Sequence, residues 1–424
     1  MNAARQAGID ELVQLAMRST RAGLHDEAAR AWQQVLAAAP DHPQALYFLG
    51  QRALRGGDAS TARQMLQRAA NANPKEPLIL VYLAMALREQ GDAKGEGLAL
   101  EQAIRLDPYC YPAMFLHASL LERVGKRRQA ASFYKTALKI APSAEQLPPF
   151  LKGPAARAKE AVRENAAAFD AFVRERLGAV RGRHGDAPLA RFDECKDILV
   201  GTAKAFVHEP TMLHFPQVPA IPFYDRSEFP WLRDVEAATD AIAEELASLL
   251  REESADFKPY VDHPEGAPLN QWAELNRSPR WSAYFLWRDG ARQDAHCRRC
   301  PRTAAALEAA PLADVPGYAP AAFFSTLEPR TRIPPHTGAT NTRLIVHLPL
   351  VVPEKCGFRV GNTTREWKRG EAWVFDDTIE HEAWNDSDEL RVLLIFDIWN
   401  PYLSAAEREL VCALLAAKRE YEDG

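Results

Sequence analysis

Prolines stand at Pro40, Pro74, Pro108 and Pro142, and glycines at Gly23, Gly57, Gly91 and Gly125, each 34 residues beyond the one before. Ala69, Ala103 and Ala137 lie five residues ahead of the last three prolines. A large side chain, Trp32, Leu66, Leu100 or Tyr134, lies eight ahead of all four. A strict period of this length describes one supersecondary unit repeated. Glycine frees the backbone for a tight turn, alanine lets two helices approach, and proline ends the second helix. Stretches such as "DEAARAWQQVLAAAP" carry apolar residues at helical spacing. A single helix pair cannot bury its own apolar face, so the units must stack.

The period and pattern resemble the tetratricopeptide repeat, which predicts an all-α array over residues 1–142. Glu96 stands where the third repeat would carry a small residue. Stacked helix pairs of this kind form a groove, and the resemblance implies a peptide or protein partner for it.

The period fades after residue 142. "AEQLPPFLKGP" breaks the pattern, and "AARAKEAVRENAAAFDAFVRERLGAV" reads as one long helix, so residues 143–205 are expected to form a helical linker. The 424 residues exceed one ordinary domain. A net charge of −5 and isolated basic clusters such as "RGRH" give no nucleic-acid footprint. No apolar run approaches the roughly 18 residues of a membrane span. The first twenty residues contain acidic side chains and no continuous apolar core, and six cysteines in so long a chain form no secreted disulfide framework. A cytoplasmic location is the expectation.

From residue 206 to 424 the texture changes. "HEPTMLHFPQVPAIPFYDRSEFPWL" implies extended chain and turns, and "DVEAATDAIAEELASLL" reads as an amphipathic helix. "AAFFSTLEP", "TRLIVHLPLVV", "GFRVGN", "EAWVFDD" and "ELRVLLIFDIW" are strand-like runs bounded by turn residues. Several short strands at this spacing predict a two-sheet, jelly-roll-like core with flanking helices. Ser404 and Glu407 suit the start of a closing helix.

Within this half, "PPHTGATNTRLIVHLPL" holds His336 and His347, and "FDDTIEHEAWND" holds His381. A lone strand histidine is usually a hydrogen-bonded core residue, but His336 and His381 both stand at strand edges where side chains can converge. Neutral imidazole suits divalent iron, copper, nickel or zinc. Asp376 or Asp377 is placed to orient a ligand imidazole. Arg391, opening an apolar strand, needs an anion, and its planar fork suits a carboxylate. Two residues after His336, where a metal-binding carboxylate would be expected, stands Gly338.

Residues 206–403 resemble the aspartyl/asparaginyl β-hydroxylase family of iron(II)- and 2-oxoglutarate-dependent oxygenases. "FPQVPAIPFYD", "FFSTLEPRTRIPPHTGATNTRLIVHLPL" and "FDDTIEHEAWNDSDELRVLLIFDIWNP" carry the likeness. The resemblance implies a double-stranded β-helix (jelly-roll, cupin-like) fold, with Fe(II), 2-oxoglutarate and O2 as cofactor and cosubstrates. It implies His336 and His381 as the iron ligands, water in the third place, and Gly338 as part of the pattern. Arg391 and Ser325 would hold the distal carboxylate of 2-oxoglutarate, and His347 its chelating end. Asp377 and Arg343 would lie beside the metal or the substrate. One departure is visible: the family often reads R-L-R-x-H, whereas this chain reads "RLIVH", with Ile345 in place of the second arginine. The implied reaction is hydroxylation of an unactivated C–H bond, foremost the β-carbon of Asp or Asn in a peptide. The alternatives are a non-catalytic interaction protein with a degenerate oxygenase domain, and a lipid or small-molecule hydroxylase.

"HCRRCP" contains one C-x-x-C pair, Cys297 and Cys300, with no second pair to complete a zinc site. Ordinary buried thiols are the expectation. Trp272, Trp281 and Trp287 read as core or cleft walls.

Overall fold

All four glycines of the ruler occupy the left-handed region, with φ of +73°, +83°, +74° and +79° for Gly23, Gly57, Gly91 and Gly125. A side chain there would be strained, which is why the period is kept in glycine. The computed structural model describes residues 3–184, 188–252 and 256–423. It divides into two compact units, Met1–Thr202 and Ala203–Gly424.

The first unit is helical. Its repeats are α1 (Ala3–Arg21) with α2 (His25–Ala38), α3 (Pro43–Arg55) with α4 (Ala59–Ala72), α5 (Pro77–Glu89) with α6 (Ala93–Leu106), and α7 (Tyr111–Arg123) with α8 (Arg127–Ile140). The second helix of each pair is capped at Ala39, Asn73, Asp107 or Ala141, one residue before a ruler proline. Trp32, Leu66, Leu100 and Tyr134 are all buried, as are Ala69, Ala103 and Ala137. Glu96 is buried too, and it survives there because Arg123 of the following repeat pairs with it. The long helix α9 (Pro149–Gly182) packs Leu151, Ala155, Ala158 and Ala161 into the same core. Arg157 ties it down through Glu122 at 2.7 Å, the carboxylate that also accepts from the Tyr134 hydroxyl at 2.9 Å. α10 (Ala190–Val200) follows.

The second unit is an antiparallel β domain. Its strands are β1 (Lys258–Pro259), β2 (Trp281–Arg288), β3 (Ala291–Arg292), β4 (Ala322–Leu327), β5 (Thr331–His336), β6 (Arg343–Val351), β7 (Cys356–Val360), β8 (Thr363–Arg365), β9 (Trp373–Phe375), β10 (His381–Asn385) and β11 (Arg391–Trp399). One sheet runs β1-β2-β4-β11-β6-β9 with β3 beside β2, and the other runs β5-β10-β7-β8. The last eight strands therefore pair from the outside inward, β4 with β11, β5 with β10, β6 with β9 and β7 with β8, as if one long hairpin had been rolled into two sheets. Side chains alternate across each strand. On the larger sheet one set, including Tyr284, Phe324, Leu344, Val346 and Phe396, packs under α11 (Leu232–Ala237), α12 (Thr239–Leu250) and α14 (Pro301–Glu308). The other set, including Trp281, Ile345 and Leu393, faces Phe358 and Ala383 of the smaller sheet.

The stretch expected to form one amphipathic helix is two, broken at Ala238. Of the C-x-x-C pair, Cys297 lies in α13 (Asp294–Arg299) and Cys300 at its junction with α14. Both thiols are buried, and burial pushes Cys300 up to about 12. The closing helix α15 (Ala405–Asp423) has the expected reciprocal cap: Glu407 accepts from the Ser404 amide at 2.8 Å, and the Glu407 amide donates to Ser404 Oγ at 3.3 Å. Among the described residues no helix is long and apolar enough to cross a membrane.

Candidate active site

The two sheets diverge around a cavity of about 430 Å³. Of the site residues picked out from the sequence, seven line it: Ser325 on β4, His336 closing β5, Arg343 and His347 on β6, Asp377 in the turn after β9, His381 opening β10, and Arg391 opening β11; Asp376 does not. The rolled hairpin explains the convergence. β5 and β10 are neighbours, and His336 and His381 are directly opposed in their register. The ring centroids are 4.1 Å apart.

Each imidazole is oriented by the backbone two residues behind it. His336 Nδ1 lies 2.8 Å from the Pro334 carbonyl, and His381 Nδ1 lies 3.1 Å from the Ile379 carbonyl. A carbonyl can only accept, so both rings carry their proton on Nδ1 and keep an Nε2 lone pair free. Burial lowers the pKa of both, and for His381 the proximity of His336 lowers it further, well below the usual histidine range. Two neutral, pre-oriented rings with free lone pairs are donors suited to a divalent cation. The expectation that Asp376 or Asp377 orients a ligand ring is not met: carbonyls do so. Asp376 instead faces His208 at 3.2 Å and accepts from the Thr378 hydroxyl at 2.6 Å.

Asp377 explains the glycine at 338. A Cβ built on Gly338 would stand 2.0 Å from Asp377 Oδ2. The room a carboxylate at 338 would need is filled by one arriving from the other loop. The two loops are also joined through the backbone, Gly338 N donating to the Asp377 carbonyl at 2.7 Å. Asp377 Oδ1 is buried without a hydrogen-bond partner among the described residues, and burial raises its carboxyl to about 7 despite Arg343 nearby. Among the described residues no third His, Cys, Asp or Glu groups with the two histidines in the manner of a three-residue metal site.

Arg391 is 1% exposed, and no carboxylate pairs with it among the described residues. Its Nη1 reaches Ser325 Oγ at 3.5 Å, its guanidinium lies over the Trp367 ring at 5.1 Å, and its Nε has no partner among the described residues. Burial pushes it down to about 10. Trp281 Nε1 donates to the same Ser325 hydroxyl at 3.2 Å. His347 Nδ1 and Trp367 Nε1 are likewise buried without a partner among the described residues, and His347 is held neutral first by burial and then by Arg391. A buried cation surrounded by orphaned polar atoms marks a pocket shaped for an anion.

The second cation is different. Arg343 is bound to Asp397 at 2.5 Å and lies 3.8 Å from Asp377. Asp397 is not among the residues picked out from the sequence, although a lone carboxylate in the apolar run "LLIFDIW" poses the same question as Arg391. β2, which contributes Trp281, is likewise absent from the strand-like runs of the sequence.

Together these features define a protein of repeats joined to a rolled β domain with a paired-imidazole, buried-arginine cavity. Residues 236–401 match the model of the aspartyl/asparaginyl β-hydroxylase family, and residues 14–77, 49–109 and 111–143 match tetratricopeptide repeats. The C-terminal domain thus belongs to that hydroxylase family, preceded by tetratricopeptide repeats. The mouse aspartyl/asparaginyl beta-hydroxylase is 36% identical over 156 residues, covering 36% of this chain and 21% of that protein. Its human counterpart is 33% identical over 190 residues, covering 44% and 24%. The ornithine lipid ester-linked acyl 2-hydroxylase of Rhizobium tropici is 35% identical over 188 residues, covering 44% and 63%. The chain therefore spans less than a quarter of the two mammalian relatives.

Proposed function

We propose that this chain is a cytoplasmic Fe(II)- and 2-oxoglutarate-dependent hydroxylase acting on an Asp or Asn side chain of a peptide or protein. The observation that carries the reading is the combination of two neutral imidazoles with free Nε2 atoms and a buried arginine lacking an anion, in one cavity. Six free cysteines accord with the location.

The residues fit the cofactor and cosubstrate. His336 and His381 would hold the metal, with their Nδ1 protons kept by the Pro334 and Ile379 carbonyls. Bound iron(II), with 2-oxoglutarate and O2, would supply oxidative hydroxylation of a C–H bond. Arg391 would neutralise the distal carboxylate of 2-oxoglutarate, with Ser325 steadied by Trp281 beside it. His347, neutral and unpartnered at Nδ1, would meet the opposite end. Asp377 offers a free carboxylate oxygen to hold water or a donor near the pair. Trp272 and Trp281, with ring centroids 5.0 Å and 6.5 Å from that of His336, limit access of water. The repeats support a peptide or protein partner.

Incubation with iron(II), 2-oxoglutarate and air should release succinate. His336→Ala and His381→Ala should each weaken binding of cobalt(II), followed by its absorption spectrum, at least tenfold. Undiminished cobalt binding in both variants would refute the site. Ile345 favours a second reading, an interaction protein without turnover. Calorimetry separates the two, since failure of the zinc(II)-loaded chain to bind 2-oxoglutarate supports that alternative. The Rhizobium relative's name motivates a lipid hydroxylase as the third.

A further inference from the structure

The cavity's charges are distributed unevenly, and the inequality bears on what can enter it. Among its lining residues only Arg343 and Arg391 are Arg or Lys. They sit at opposite ends of the inward face. Arg391 begins β11 beside Ser325 of β4, whereas Asp397, six residues along β11 on the same face, takes Arg343 of β6. Between the ends lies Ile345, two residues from both Arg343 and His347. It is opposed in register to Asp397 on one side and to Phe375 on the other. Ile395, opposite His347, and Phe323, opposite Ile395 on β4, continue the apolar surface.

Arg391 is taken by the cosubstrate in the proposed oxygenase function, on which this inference rests. Arg343 is neutralised by Asp397, with Asp377 as a second carboxylate 3.8 Å away. Apart from the metal, a substrate carboxylate would therefore find no unpaired arginine or lysine among the lining residues, two carboxylates beside Arg343, and an apolar wall. An arginine at 345 would restore one positive charge opposite Asp397 and make room for an anion. We propose that the side chain accepted by this pocket is uncharged, asparagine or an aliphatic residue and not aspartate, and that Ile345 determines this choice together with the Arg343–Asp397 pair.

The test uses the full chain loaded with zinc(II), so that binding is read without turnover, by quenching of tryptophan fluorescence. 2-Oxoglutarate is titrated first. If it does not bind, the oxygenase function fails, whatever the peptides do. Three peptides identical except for a central Asp, Asn or Leu are then titrated with 2-oxoglutarate present. The expected result is that the Asn or the Leu peptide binds at least about tenfold more tightly than the Asp peptide, since an unpaired carboxylate must be desolvated. Ile345→Arg should close or invert that gap. Asp397→Asn, a milder change that frees Arg343, should move it the same way and serves if Ile345→Arg does not fold. Equal or tighter binding of the Asp peptide to the native chain overturns the proposal. So does failure of all three to bind, or an unchanged preference in a folded Asp397→Asn variant.

Discussion

Replacing Arg391 with methionine should make the ligand-free protein more stable while abolishing its response to 2-oxoglutarate. The guanidinium is 1% exposed with no carboxylate partner among the described residues, and burial pushes it down to about 10. A depression of that size disfavours the charged form in the folded chain by about 3 kcal/mol. Methionine fills a similar volume without a charge. It forfeits the contact with Trp367, worth about 1 kcal/mol in a desolvated site. The net gain is about 2 kcal/mol, or roughly 4–8 °C in the melting of the β domain. The sign with pH comes from the base being depressed in the folded state. The penalty is fully present below about pH 10 and relieved only as pH rises through that value, so the gain should be flat between pH 6 and 9 and shrink above 10. Melting is read by tryptophan fluorescence, because every tryptophan except Trp32 lies between Trp231 and Trp399. With zinc(II) present, 2-oxoglutarate at a hundredfold its Kd should stabilise the native chain by about 2.7 kcal/mol and the variant not at all. A variant less stable than native by more than about 1 kcal/mol, or one that gains as much from 2-oxoglutarate as native does, would refute the reasoning.

Gly338→Ala places a methyl group 2.0 Å from Asp377 Oδ2, so one loop must shift; a loss of about 1–3 kcal/mol by urea titration and a sharply weakened cobalt(II) affinity are expected, and native values for both would show that the crowding is harmless. In the repeats, Arg123→Ala leaves the buried Glu96 without its partner and should cost about 3 kcal/mol by far-UV circular dichroism, whereas Glu96→Ala, which supplies the small residue, should fall within about 1 kcal/mol of native. Iodoacetamide at pH 8 should modify the exposed Cys195 and spare Cys297 and Cys300, whose thiols burial holds protonated at that pH; mass spectrometry showing comparable labelling of Cys300 would contradict its burial.

The repeats could be read from the sequence because their physics is local. A turn that needs positive φ retains glycine, a helix end tolerates proline, and both recur at the period of the unit. In the β domain legibility falls as the cause becomes non-local. Strands such as "TRLIVHLPLVV" are visible in their own composition. β5 is not, since "TRIPPH" holds two prolines, and it exists as an outer strand paired on one side to β10. β2 is obscured by its density of aromatic residues, which serve the helix-covered core with Tyr284 and the cavity with Trp281.

The same gradient runs through the site. Arg391 announces itself because a cation in an apolar strand demands an anion, whatever surrounds it. The meaning of Gly338 is not available locally, because the atom that forbids a side chain there belongs to Asp377, thirty-nine positions later and brought alongside only by the rolled hairpin. Arg343 shows the opposite failure. Its sequence context offers a free cation for a substrate, and the fold commits it to Asp397 across the sheet. A residue's type states which partner it requires, but only the register decides whether that partner comes from the protein or from the ligand. Here the register satisfies Arg343 from within and leaves Arg391 to be satisfied from outside, and that difference gives the cavity two electrostatically unlike ends.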